Sequence, residues 1–215
     1  NIEQARFNMI EQQIRPWDVL DTGVLQLLSV VRREEFVPPA YKALAFVDSE
    51  IPLPGGQCML APRVEARLLQ EAQVQRHERV LEIGAGSGFM AALLAHKAQS
   101  VLSLEIDPAL AQLAAANLAR AGIVNATVRQ ADGAQGAPSD APFDAIVLSG
   151  SVHAVPQALI DQLKPGGRLV AIEGDDPVMR AVKITRDGAG VRREVLFDVV
   201  APRLAGFGEA SRFSF

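Results

Sequence analysis

Apolar positions change their spacing three times along the chain, and each change marks a new kind of element. Phe7, Ile10 and Ile14 recur at helical spacing until Arg15-Pro16, where the residue before proline leaves the helical region. Asp21 and Thr22 offer an N-cap for a second helix, in which Val24, Leu27, Leu28 and Val31 repeat at i, i+3, i+4 and i+7. Between Phe36 and Pro62 the punctuation is dense: Pro38, Pro39, Pro52, Pro54, Gly55 and Gly56 interrupt a stretch that also holds Phe36, Tyr41, Leu44, Phe46, Ile51 and Leu53. Those apolar residues need burial, so the stretch predicts an ordered loop folded over the rest of the protein and not a linker.

From Arg63 onward, helical windows alternate with short apolar runs. Helices are predicted at 63–72, 88–97, 108–121 and 156–163, and strands at 79–83, 101–105, 126–130, 143–148 and 168–172. Short apolar strands separated by helices are what a parallel sheet covered on both faces requires, so the fold class is α/β, doubly wound. After Gly174 the alternation stops. Runs at 181–186 and 191–200 flank Asp187-Gly188-Ala189-Gly190 and predict a terminal antiparallel hairpin, followed by a tail at 206–215 that packs through Phe207, Phe213 and Phe215.

Length and composition narrow the class. A chain of 215 residues fits one compact unit with an appendage: residues 1–62 as N-terminal helices and ordered loop, 63–215 as the main domain. With 49% hydrophobic and 21% charged residues it is an ordinary globular mixture. Cys58 is the one cysteine, which excludes an internal disulfide and a cysteine-built zinc site and fits a reducing compartment. His77, His96 and His153 show no ligand spacing, so no metal is expected. A net charge of −4 argues against a broad nucleic-acid-binding face. Glu3, Arg6, Glu11 and Arg15 break any signal-peptide core, and Ser149, Gly150, Ser151, His153 and Pro156 break the charge-free run 145–160, so no export or membrane span is expected and a cytoplasmic location is.

The chemistry concentrates in Glu82-Ile83-Gly84-Ala85-Gly86-Ser87-Gly88, at the end of the first predicted strand and opening a helix. Glycines there let the backbone turn sharply and approach a ligand. Glu105, 21 residues beyond Gly84, ends the next strand, where a carboxylate suits the two hydroxyls of a ribose. No GKS/T follows, which disfavours a nucleoside triphosphate. No Lys or Arg occurs from Gly84 to Ala95, which disfavours a dinucleotide pyrophosphate. S-adenosylmethionine carries no phosphate and is cationic at its sulfonium and ammonium groups, so an acidic rim of Glu82, Glu105 and Asp132 would attract it. Asp132-Gly133 offers a carboxylate for the adenine amino group beside a residue small enough to admit the ring, although the same pair also reads as an ordinary turn.

At these residues the sequence resembles the class I S-adenosylmethionine-dependent methyltransferases, and within them the protein-L-isoaspartate O-methyltransferase family. The resemblance is carried by Arg33-Glu34-Glu35-Phe36-Val37-Pro38, Ile51-Pro52-Leu53-Pro54-Gly55-Gly56-Gln57, the stretch from Val80 to Phe89, Ala131-Asp132-Gly133, Ala141-Pro142-Phe143-Asp144-Ala145-Ile146 and Gln162-Leu163-Lys164-Pro165-Gly166-Gly167-Arg168-Leu169. It implies a mostly parallel, seven-stranded Rossmann-like methyltransferase sheet, an N-terminal extension forming part of the acceptor site, and damaged aspartyl residues in proteins or peptides as substrate. It implies cofactor contacts at Glu82, Gly84, Ala85, Gly86, Ser87, Gly88, Glu105, Ile106, Asp132, Gly133 and Ser149, with Gln57, Cys58 and Leu60 on the acceptor side.

One departure matters. Where the family reads Gly-Gln-Thr-Ile-Ser-x-Pro, this chain has Gly56-Gln57-Cys58-Met59-Leu60-Ala61-Pro62, so Leu60 takes the place of the serine hydroxyl associated with catalysis. Leucine cannot donate a hydrogen bond to an acceptor carboxylate. The family's C-terminal Phe-Val-Pro-Leu is altered as well, to Val199-Val200-Ala201-Pro202-Arg203-Leu204, also expected on the acceptor side. A carboxylate is already ionised near neutral pH, so methyl transfer to it requires no general base. Accordingly His153 is assigned no role and Cys58 reads as a small loop hydrophobe. The alternatives that remain are a methyltransferase of another acceptor, motivated by Leu60, and a non-catalytic cofactor-binding module; an NAD-dependent dehydrogenase is disfavoured by the charge of the loop.

Overall fold

The computed structural model describes residues 1–188 and 190–208. Seven of its strands are β3 (Arg79–Ile83), β4 (Ser100–Glu105), β5 (Ala126–Gln130), β6 (Phe143–Val152), β7 (Leu163–Asp175), β8 (Val178–Asp187) and β9 (Gly190–Asp198). They form one sheet in the order β5-β4-β3-β6-β7-β8-β9. Pairing is parallel from β5 to β7 and antiparallel for β7-β8 and β8-β9, so the expected terminal hairpin is present. Ala189 in its turn, and Phe213 and Phe215 of the tail, lie outside the described residues.

Strand side chains alternate between faces, and here each face has its own core. Along β6, Ala145 and Val147 join one apolar cluster while Ile146 and Leu148 join the other. Val170 and Ile172 against Leu169 and Ala171 repeat the division on β7. The first cluster is covered by α2 (Thr22–Val30), α3 (Pro62–Ala72), α4 (Phe89–Lys97) and α5 (Pro108–Arg120); the second holds Leu159 and Ile160 of α6 (Gln157–Ile160). Strand order reverses beside β3, because β4 lies on one side and β6 on the other. That reversal opens a crevice at the carboxyl ends of the strands.

Several boundaries differ from expectation. The helix expected at 156–163 is a single turn, because Leu163 already pairs with Phe143 and draws the chain into β7. The strand expected to end at Leu148 runs on through Ser149 to Val152. At the N-terminus, α1 (Ile2–Met9) continues into a π-helical segment, Ile10–Ile14, and its buried face carries Arg6 instead of Phe7, which is 59% exposed. Arg6 turns inward because Glu34 accepts from both its terminal nitrogens at 2.9 Å and because its guanidinium lies 5.1 Å from the Phe46 ring centre.

Residues from Phe36 to Pro62 fold over the sheet end as expected, with Phe36, Ile51 and Leu53 buried, while Tyr41 remains partly exposed. A small antiparallel pair, β1 (Ile51–Pro52) and β2 (Cys58–Met59), closes this loop. Arg33 anchors it from beneath. At 2% exposure it donates to Glu65 at 2.5 Å, to the Ala45 carbonyl at 2.9 Å and to the Leu60 carbonyl at 3.0 Å.

Candidate active site

The glycine loop takes its shape from three residues in the left-handed region: Gly84 at φ 91°, Gly86 at 54° and Gly88 at 87°. Neighbouring strands hold it. Gly84 and Ala85 both donate to the Leu104 carbonyl, Gly86 donates to Glu105 Oε1 at 2.9 Å, and Asn117 of α5 donates to the Ser87 carbonyl at 2.8 Å. Glu105 Oε2 accepts from the Asp107 backbone at 3.0 Å, so a single carboxylate ties the loop to the start of α5. A Cβ on Gly88 would stand 3.0 Å from the Ala114 carbonyl oxygen, and one on Gly133 would stand 2.4 Å from the Ile83 side chain.

Two small cavities meet at Gly84. One, about 20 Å³, is bounded by Glu82, Gly84, Ala85, Gly86, Ser87 and Ser149, with Cys58 and Leu60 of the loop opposite. The second, about 30 Å³, is bounded by Gln57, Gly84, Glu105, Ile106, Gly133 and Leu204. Most of the site residues expected from sequence therefore converge. Gly88 and Asp132 border neither cavity: Gly88 packs under α5, and Asp132 caps its own turn by accepting from Ala134 at 3.0 Å.

Leu204 was expected on the acceptor side, but it stands over the glycine loop, where a Cβ on Gly84 would lie 2.6 Å from its Cδ2. The segment is fixed there by Ser151, which donates to the Pro202 carbonyl and accepts from the Leu204 backbone. Leu53 faces Gly86 from the other wall. A nucleoside-sized ligand occupies several hundred cubic ångströms, so it must displace Leu204 or the Leu53 loop on entry.

Electrostatics correct one part of the acidic-rim expectation. Glu82 is 0% exposed, and burial pushes its carboxyl up to about 8, against the opposing hydrogen bonds from Ser103 and Ser149. Near neutral pH it is largely protonated and adds little negative charge to the rim. The folded protein thus keeps a proton that an unfolded chain loses near 4.5, and stability should fall as pH rises through that window toward about 8. Glu82→Gln should flatten this slope, which is at most about 1.4 kcal/mol per pH unit for one group. Urea midpoints compared at about pH 5 and about pH 8 check it; parallel behaviour of variant and wild type would contradict the assignment. Glu65, also raised by burial, contributes the same sign in both proteins. The Cys58 thiol is raised by burial and by Glu50, which favours its protonated form near neutral pH.

The residues suit a cationic, phosphate-free nucleoside. Apolar side chains, Leu53 and Leu204, cover the loop backbone, Glu105 ties it with a carboxylate, and no basic side chain borders either cavity. Sequence reasoning missed Glu65, which borders the first cavity, and its partner Arg33. The available signal was an acid at the centre of the buried face of α3, flanked by Ala61, Leu68, Leu69 and Ala72.

Comparison with known proteins gives a consistent answer. The sequence profile of the protein-L-isoaspartate(D-aspartate) O-methyltransferase family matches residues 4–199. A protein-L-isoaspartate O-methyltransferase of Methanoculleus marisnigri is 42% identical over 183 residues, 85% of this chain and 83% of that protein. One of Rhodopseudomonas palustris is 44% identical over 209 residues, 96% of this chain and 85% of that protein. Among solved structures, a Plasmodium falciparum chain described as a protein-L-isoaspartate O-methyltransferase in complex with S-adenosyl-L-homocysteine superposes with a TM-score of 0.79. It is 21% identical and covers 96% of this chain and 99% of its own, a likeness of fold.

Proposed function

Since the chain belongs to the protein-L-isoaspartate(D-aspartate) O-methyltransferase family, we propose that it methylates the free carboxylate of isoaspartyl residues in damaged polypeptides. The observation that carries this reading is the convergence of the glycine loop, Glu105 and the Gln57–Leu60 loop on two cavities that share Gly84. In it, residues 63–215 carry the cofactor crevice and residues 1–62 supply the acceptor-side cover. S-adenosylmethionine would supply an electrophilic methyl group, which an acceptor carboxylate oxygen takes while the carbon–sulfur electron pair returns to sulfur.

The chain's own residues orient and exclude. Gly84, Ala85, Gly86 and Ser87 present the loop backbone; Gly88 permits the close seating of α4 on α5; Glu105 and Ile106 border the ribose side; Asp132 and Gly133 stand at the adenine end; Glu82 and Ser149 face the reacting end. Cys58 and Leu60 cover that end, and Gln57 covers the side of Glu105 and Ile106. The acceptor carboxylate is ionised near neutral pH, so no side chain has to remove a proton. No helix among the described residues is long and apolar enough to cross a membrane, and a cytoplasmic site of action agrees with the single unpaired cysteine.

The test is transfer of a labelled methyl group to an isoaspartyl peptide, its aspartyl twin and a cell extract. Label on the isoaspartyl peptide and not on its twin is the expected result. Label confined to extract components would place the acceptor elsewhere, and no transfer despite cofactor binding would favour a non-catalytic module.

A further inference from the structure

The acceptor loop lacks a hydroxyl at position 60, yet the cavity that Leu60 borders also has Ser149 on its wall, at the carboxyl side of β6. Ser149 Oγ lies 2.7 Å from Glu82 Oε2, and Ser103 Oγ lies 2.6 Å from Glu82 Oε1. Ser87, another hydroxyl on that wall, belongs to the glycine loop, and its oxygen accepts from the Phe89 backbone at 3.3 Å.

We propose that Ser149 supplies the acceptor-orienting hydroxyl that the loop lacks, with Glu82 setting the direction in which its proton points. Ser103 is 0% exposed and Glu82 is its side chain's one hydrogen-bond partner among the described residues, so the Ser103 proton is donated to Oε1. A proton held by Glu82 then resides on Oε2 and is donated to Ser149, leaving the Ser149 proton free to point into the cavity. There it binds one oxygen of an acceptor carboxylate and leaves the other oxygen to attack. When Glu82 is ionised, Ser149 must donate to it and presents only lone pairs, which repel a carboxylate. The other charged groups acting on Glu82 are the carboxylates of Glu65 and Glu105, and Glu65 is itself neutralised by Arg33. Cys58, protonated, adds no charge.

The inference rests on the isoaspartyl reading above, and the experiment separates the two. Wild type, Ser149→Ala, Leu60→Ser and the double variant are assayed with an isoaspartyl peptide across pH, with calorimetry of S-adenosylhomocysteine and thermal melts confirming that each is folded. Ser149→Ala should lower kcat roughly 10- to 100-fold, a larger factor than any loss of cofactor affinity. In wild type the rate should fall as pH rises through the Glu82 titration, and Ser149→Ala should lose that fall. Leu60→Ser should recover at least about fivefold in the Ser149→Ala background and far less alone, because either hydroxyl can hold the same oxygen. Should Ser149→Ala be as fast as wild type, or Leu60→Ser change both backgrounds by one factor, the proposal is wrong and the isoaspartyl reading stands. Should neither wild type nor Leu60→Ser methylate the peptide, both are wrong.

Discussion

Arg33→Met should destabilise the protein by about 3–5 kcal/mol, the cost of leaving one member of a buried ion pair without its partner. Arg33 and Glu65 are 2% and 5% exposed and 2.5 Å apart, and burial already pushes the Glu65 carboxyl upward against the pull of the guanidinium. Removing Arg33 also strips donors from the Ala45 and Leu60 carbonyls and takes a cation from above the Phe89 ring, 5.0 Å away. For a chain of this size the loss corresponds to a drop in Tm of roughly 10 °C or more. The double variant Arg33→Met, Glu65→Leu should recover most of it, since an apolar pair of similar volume needs no desolvated charge. Denaturant unfolding of the two variants measures this directly. A double variant no more stable than the single one would show that the carbonyl contacts, and not the ion pair, hold the loop of residues 36–62 down.

The largest functional effect is expected at Glu105. Its carboxylate accepts from the Gly86 backbone at 2.9 Å and from the Asp107 backbone at 3.0 Å, so it shapes the loop as well as bordering the second cavity at Gly84. Two hydrogen bonds to a charged group are worth about 1.5–3 kcal/mol each, and Glu105→Ala should weaken S-adenosylhomocysteine binding by at least about 100-fold. Glu105→Gln keeps one acceptor oxygen and should fall between. Calorimetry of the three proteins gives the ranking. An Ala variant that binds within about threefold of wild type would remove Glu105 from the site.

Much of this architecture is written in local pattern. Each strand of the seven-stranded sheet has its predicted counterpart, because alternation of apolar runs with helices reports the parallel part and a turn between two β-rich runs the antiparallel hairpin, whereas the short β1-β2 pair had none. The glycine loop was legible because three glycines in five positions where a strand gives way to a helix leave few other uses for that spacing, and all three take positive φ. What stayed hidden depends on partners distant in sequence. Glu82 read as part of an acidic rim, yet its burial follows from β4 and β6 closing on either side of β3 and from Ser103 and Ser149 taking both carboxyl oxygens. Leu204 sits over the glycine loop because Ser151 binds its backbone, a pairing across more than 50 residues that no local period reveals. The inward turn of Arg6 in place of Phe7 was likewise decided by Glu34, 28 residues away.

The central claim is that the crevice at Gly84 receives a cationic nucleoside without phosphate, and calorimetric titration addresses it most directly. Saturable one-to-one heat is expected with S-adenosylmethionine and with S-adenosylhomocysteine, lost in Glu105→Ala, and no heat with NAD. Heat with NAD, or none with either methyl-donor species, would contradict it.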